Sequence, residues 1–166
     1  MEVTQQLLLL AKIVESVVQS VGQRESGQVV YEDVTLDMAK KLIAAVEQRA
    51  AQMGVNAVIA VANRGANPVA VHCMDNSYIA SYDIAFNKAY TCAALKMPTT
   101  QLKRLSQPGG DLYGIQHTNN GRIVIFGGGI PVIRNGQCIG GLGVSGGSEA
   151  QDTELAEFAQ TVIQNM

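Results

Sequence analysis

An α+β fold, with a five-stranded antiparallel sheet flanked by helices, is predicted by three features of this 166-residue chain. Short apolar segments come in pairs separated by turn residues, the pattern of β-hairpins. Segments of helical apolar period lie before, between and after these pairs, so helices cover the faces of the sheet. The strongest turn signal, Asn135-Gly136, joins two such segments directly.

The elements follow in order. Val3, Leu7, Leu10, Val14, Val17 and Val21 recur at helical spacing and predict an amphipathic helix over Val3 to Val21. A polar connector, Gly22 to Gly27, follows it, dividing the chain into an N-terminal helix with its connector (1–27) and a main domain (28–166). Thr35 caps a second helix that runs to Met53 and stops at Gly54. Val55 to Ala62 and Val69 to Met74 read as a hairpin, with Pro68 at a strand start, where no ladder donor is needed. A third helix opens at Ser77 or Asp75 and reaches Lys96, where Met97-Pro98 breaks it. A short helix around Thr100 to Leu105 precedes a Pro108-Gly109-Gly110 turn and a polar loop, Gln116 to Gly121. Arg122 to Phe126, Ile130 to Arg134 and Gln137 to Val144 supply the remaining three strands. Ser148, with Gln151 three residues on, caps the closing helix.

Composition narrows the function classes. The hydrophobic fraction is 47% and the formal charge −2, with no basic run, so the electrostatic footprint of a nucleic-acid binder is missing. Cys73, Cys92 and Cys138 are widely spaced and odd in number, which makes neither a zinc pattern nor a disulfide framework and fits a reducing cytoplasm. The apolar run Leu7 to Ala11 is interrupted by Lys12 and Glu15, and Glu2 stands where a basic leader would begin. Neither a signal peptide nor a membrane span is expected.

Gly140 to Asp152 matches two catalytic patterns at once. Gly141, Gly143 and Gly146 read as Gly-x-Gly-x-x-Gly, yet no further strand or ribose-binding acid follows for a dinucleotide. Gly143, Ser145 and Gly147 read as a nucleophile elbow, yet His72 and His117 both precede Ser145, against the order such triads take. The plainer expectation is a sharp strand end whose glycines allow close backbone approach, leading into a capped helix with Glu149, Asp152 and Glu154 at its positive end.

Four motifs in order carry a family resemblance: Val71-His72-Cys73-Met74-Asp75, then Asp83-Ile84-Ala85-Phe86-Asn87-Lys88-Ala89-Tyr90-Thr91, then Gly127-Gly128-Gly129-Ile130-Pro131, then Gly143-Val144-Ser145-Gly146-Gly147 with Gln151-Asp152. From about Val34 to Phe158 the chain resembles the GlcG-like, haem-degrading or haem-binding family that includes the C-terminal domain of PduO-type cobalamin adenosyltransferases. That resemblance implies a profilin-like α/β/α domain, homo-oligomeric assembly, and noncovalent haem or a related tetrapyrrole as cofactor. It also implies an accessory role beside diol, glycerol or glycolate utilisation, within the cytoplasm or a bacterial microcompartment. No adenosyltransferase domain is present, and that activity is not carried over.

Haem needs an axial donor, and the nitrogen donors are His72 and His117. His117, in a polar loop, is the better placed; His72 alternates with Val71 and Cys73 and faces solvent or a partner helix. The absence of Cys-x-x-Cys-His disfavours covalent attachment. Asp75, Asp83, Lys88, Gly127, Gly128, Gly146 and Asp152 form the candidate ligand pocket, suited to a small anion or carbonyl compound. Asp83 and Lys88, five apart, are not a helical surface pair; the alternative for them is a solvated face with a structural ion pair. The second function class is a small enzyme acting on an aldehyde or hydroxy acid. The N-terminal helix packs on its own domain, spans a subunit interface or docks a microcompartment or pathway protein.

Overall fold

The computed structural model describes residues 32–166, together with Lys12, Val14 and Glu15. Apart from Lys12, Val14 and Glu15, which are helical and exposed, the expected helix over Val3 to Val21 and its connector lie outside the described residues. Residues 32–166 belong to one compact unit.

Helix α1 (Leu36–Gln52) begins where the Thr35 hydroxyl accepts the Met38 N–H at 3.2 Å, and buries Met38, Ala39, Leu42, Ile43, Val46 and Ala50 on one stripe. Strands β1 (Val58–Asn63) and β2 (Pro68–Cys73) form the expected hairpin, with Pro68 at the strand's first residue. Helices α2 (Ile79–Leu95) and α3 (Thr99–Leu105) follow. The chain then crosses two 3₁₀ turns, at 115–117 and 119–121, before β3 (Gly129–Arg134), β4 (Gln137–Ser145) and α4 (Glu149–Gln164). Asn135 and Gly136 make the β3–β4 turn with φ of 50° and 74°, the positive values that such a tight hairpin requires. Ser148 and Gln151 form the full capping box of α4.

The sheet has four strands, all antiparallel, in the order β2-β1-β4-β3. This overturns the five-stranded, profilin-like sheet expected from the sequence. The missing strand is Arg122 to Phe126, which pairs with no other strand. Its backbone is bonded instead to a helix side chain: the Thr91 hydroxyl accepts the Val124 N–H at 3.0 Å and lies 3.3 Å from the Arg122 carbonyl. The Arg122 guanidinium stacks on Tyr90, 3.6 Å from the ring centroid, and lies 5.3 Å from that of Phe86. An apolar run thus looks like a strand while its polar groups are satisfied against α2.

Alternation of side chains along β1 separates two cores. Ile59 and Val61 join Val132, Leu142 and Val144 beneath α1 and α4, whereas Val58, Ala60 and Ala62 meet Ala85, Ala89 and Ala93 of α2. β1 is therefore buried on both faces and reads as a continuous apolar run. On the α2 side the sheet presents glycine: a Cβ at Gly141 would strike the Ala89 carbonyl, and one at Gly143 the Ala85 carbonyl. The Gly-x-Gly of β4 is the groove into which a helix with alanines four residues apart is pressed, backbone against backbone.

The outer edge of β3 is closed. The Thr99 hydroxyl accepts the Gly129 N–H at 2.9 Å and donates to the Gly129 carbonyl, Pro131 has no N–H, and the Ile133 carbonyl accepts from the Gln160 amide.

Candidate functional site

Lys88 and Asp152 form the polar centre of the domain. Lys88 lies seven residues after Ser81 on α2, two helical turns along one face, and its exposure is 0%. Its Nζ donates to the Val144 carbonyl at 2.7 Å and to Asp152 Oδ2 at 3.0 Å, and lies 4.9 Å from the centroid of the Phe126 ring. Asp152, 4% exposed in the first turn of α4, accepts the Gly147 N–H on Oδ1 at 2.9 Å. One carboxylate thereby ties the turn after β4 to the ammonium group on α2. Burial pulls the Lys88 pKa below its ordinary value; the charge of Asp152 and its hydrogen bond oppose that shift.

Glycine shapes this centre. Gly128 has φ 104°, and a Cβ there would lie 2.6 Å from Lys88 Nζ and 2.7 Å from Asp152 Cβ. Gly127 donates its N–H to Glu149 Oε1 at 2.9 Å, and Glu149 Oε2 accepts from Lys103 at 2.7 Å. The Lys103 side chain, and then the Gly127 N–H, hold the Glu149 carboxyl below its ordinary range. Burial pushes the Cys92 thiol up, which makes it an inert packing group.

A cavity of about 290 Å³ lies beside the pair, lined by Tyr78, Ser81, Ile84, Phe126, Ser145 to Gly147, Glu149 and Asp152. Ser145 Oγ and Ser81 Oγ are 3.2 Å apart and both buried. Among the described residues the Ser145 hydroxyl has no other hydrogen-bond partner, so the elbow pattern comes with no base to activate the serine.

Of the residues expected to form the ligand pocket, Lys88, Asp152, Gly127, Gly128 and Gly146 converge here. Asp83 does not. It is exposed and accepts from the Asn87 amide at 3.1 Å, whose carbonyl oxygen in turn accepts from Arg122. Asp75 is also exposed, in the turn after β2. The two histidines lie elsewhere: His72 on the α1 face of β2, with Nδ1 2.9 Å from Glu47 Oε1, and His117 exposed in the first 3₁₀ turn beside Gln116. Ser81, Phe126, Glu149 and Glu47 were not anticipated. The seven-residue spacing of Ser81 and Lys88 was the available signal for the first; the others depend on tertiary contacts.

Residues 34–161 match the family described as haem-degrading protein HbpS-like. The chain belongs to that family. It is similar to an uncharacterised 15.0 kDa protein of the dhaT-dhaS intergenic region of Citrobacter freundii, 48% identical over 76% of this chain and 89% of that protein. Among solved structures it resembles Klebsiella pneumoniae ORFY, with 42% identity, a TM-score of 0.80, and coverage of 87% of this chain and 98% of that one. It also resembles the PduOC:Heme complex, with 34% identity, a TM-score of 0.75, and coverage of 78% and 94% respectively. Within the described residues no group of three or more His, Cys, Asp or Glu side chains is placed to hold a metal ion, and no helix is long and apolar enough to cross a membrane.

Proposed function

We propose that this protein is an accessory protein that binds haem or a related tetrapyrrole noncovalently. The family and the similarity to the PduOC:Heme structure support the ligand class. The observation in this chain that carries the reading is the pairing of His72 with Glu47. With the Nδ1 proton directed at the carboxylate, the imidazole keeps its lone pair on Nε2, which has no hydrogen-bond partner among the described residues. A carboxylate behind a histidine fixes the orientation of the ring as a ligand. Ala70 and Met74 share that face of β2 and pack on the main core beside it, so the donor stands at the rim of apolar surface. Haem, when bound, supplies an iron centre for ligand or redox chemistry; His72 would hold it and Glu47 would orient His72. His117 is the second candidate donor.

In this reading the protein acts as a homo-oligomer beside a diol or glycerol utilisation pathway, in the cytoplasm or inside a microcompartment, with the N-terminal helix as the segment that meets a subunit or pathway partner. Haemin titration followed by absorbance is the test. The expected result is a saturable bound spectrum whose low-spin signature is lost in His72→Ala and kept in His117→Ala. The opposite pattern assigns the iron to His117, and no bound spectrum at all removes the reading.

A further inference from the structure

The cavity beside Lys88 has walls from two of the four sequence motifs: Ile84 of the α2 motif, and Ser145 to Gly147 with Asp152 of the last. Phe126 immediately precedes the third. It lies on the α2 side of the sheet, whereas His72 is on the α1 side, so it is independent of the haem reading. Its charges are already matched. Asp152 is paired with Lys88 and Glu149 with Lys103, leaving no free cation for an anionic ligand and two carboxylates to repel one.

Its hydroxyls are not matched. Ser81 and Ser145, 3% and 5% exposed, share one hydrogen bond. Two hydroxyls bring two protons, so whichever donates, the other O–H is left without an acceptor among the described residues. The same cavity is lined by the side chains of Ile84, Phe126 and Tyr78. At about 30 Å³ for each water-sized group, a space of about 290 Å³ holds at most roughly ten heavy atoms, which limits the occupant to a small molecule.

We propose that this cavity binds a short, uncharged, oxygenated compound, an aldehyde or alcohol, whose oxygen accepts from the Ser81–Ser145 hydroxyl pair and whose carbon chain lies against Ile84 and Phe126. Lys88 is a positioning residue: fully buried and bonded to the Val144 carbonyl, it fixes the strand end next to Ser145 and anchors Asp152, which holds the Gly147 N–H.

Propanal, propan-1-ol and propanoate share one carbon skeleton and separate the chemistries. Each is titrated into the ¹⁵N-labelled full chain while backbone amide shifts are followed. Propanal, propan-1-ol or both shift the Gly146 and Gly147 resonances saturably and reversibly; propanoate does not. Losing the donor in Ser81→Ala/Ser145→Ala weakens that binding about fivefold, the equivalent of one ordinary hydrogen bond. Ile84→Trp, which fills the cavity from its apolar wall, abolishes it with amide dispersion retained. Propanoate binding as well as the neutral compounds overturns the proposal. So does the absence of saturable shifts with all three, or binding that survives both variants unchanged.

Discussion

Removing the charge of Lys88 while leaving Asp152 in place exposes how the domain's centre is held. Lys88→Met keeps the length and most of the volume of the side chain but strips Asp152 Oδ2 of its ammonium partner and the Val144 carbonyl of a donor. Breaking one side of a buried ion pair costs about 3–5 kcal/mol. The lower end applies, because Asp152 Oδ1 still accepts the Gly147 N–H. About 3 kcal/mol corresponds to a fall in Tm of roughly 6–12 °C for a domain of this size. Lys88→Met/Asp152→Asn removes both charges and keeps the acceptor for Gly147, so it should recover most of the loss and leave a deficit of about 1 kcal/mol, one ordinary hydrogen bond. Urea denaturation of wild type, both single variants and the double variant closes the cycle. A Lys88→Met deficit under about 1 kcal/mol, or a double variant that costs the sum of the singles, would mean that the pair is solvated and that the reasoning about a dry centre is wrong.

Three further outcomes are expected. Gly143→Ala should destabilise by about 2 kcal/mol or more in urea denaturation, because the added methyl meets the Ala85 carbonyl and separates α2 from β4. Because the folded-state pKa of Glu149 is lowered below its ordinary 4.5, its contribution is fully present above that value and is lost as pH falls through the lower folded value. Lys103→Met should therefore flatten the acid limb of a Tm-against-pH profile, and an unchanged limb would remove the Lys103 hydrogen bond as its cause. Deleting residues 1–27 should leave the circular dichroism of the main domain folded while changing the mass measured by light scattering or the binding of a partner; loss of the folded spectrum would show the segment to be part of the core.

The caps of α1 and α4, the hairpin turns and the apolar stripe of α1 were legible because each depends on residues within a few positions of one another; the expected opening of α2 at Ser77 or Asp75 was not, since the helix starts at Ile79 after Tyr78 with no side-chain cap. Thr35, Ser148 with Gln151, and Asn135-Gly136 all act locally and stand where the sequence places them. Arg122 to Phe126 misled for the opposite reason: its strand-like composition is set against a hydroxyl on Thr91, 33 positions from Val124. The glycines of β4 showed close approach but not its partner, since Ala85 and Ala89 are more than fifty residues away. At the site, Lys88 and Asp152 stood out as charges in apolar context, while Asp83 shared that signature and belongs to the exposed face of the same helix. Periodicity separates them once the face is known: Ser81, Lys88 and Cys92 share it, and Asp83 does not.

The two rims of the sheet differ in a way that limits how copies of this domain can associate. With β3 sealed by Thr99, Pro131 and Gln160, β2 is the rim that remains to accept another strand among the described residues. A ribbon that grows at one rim alone cannot propagate: joining two copies through β2 uses the open rim of each and leaves blocked rims at both ends. Such an eight-stranded pair is self-limiting, which protects the chain from fibrous growth by satisfying the main chain of β3 from its own helices.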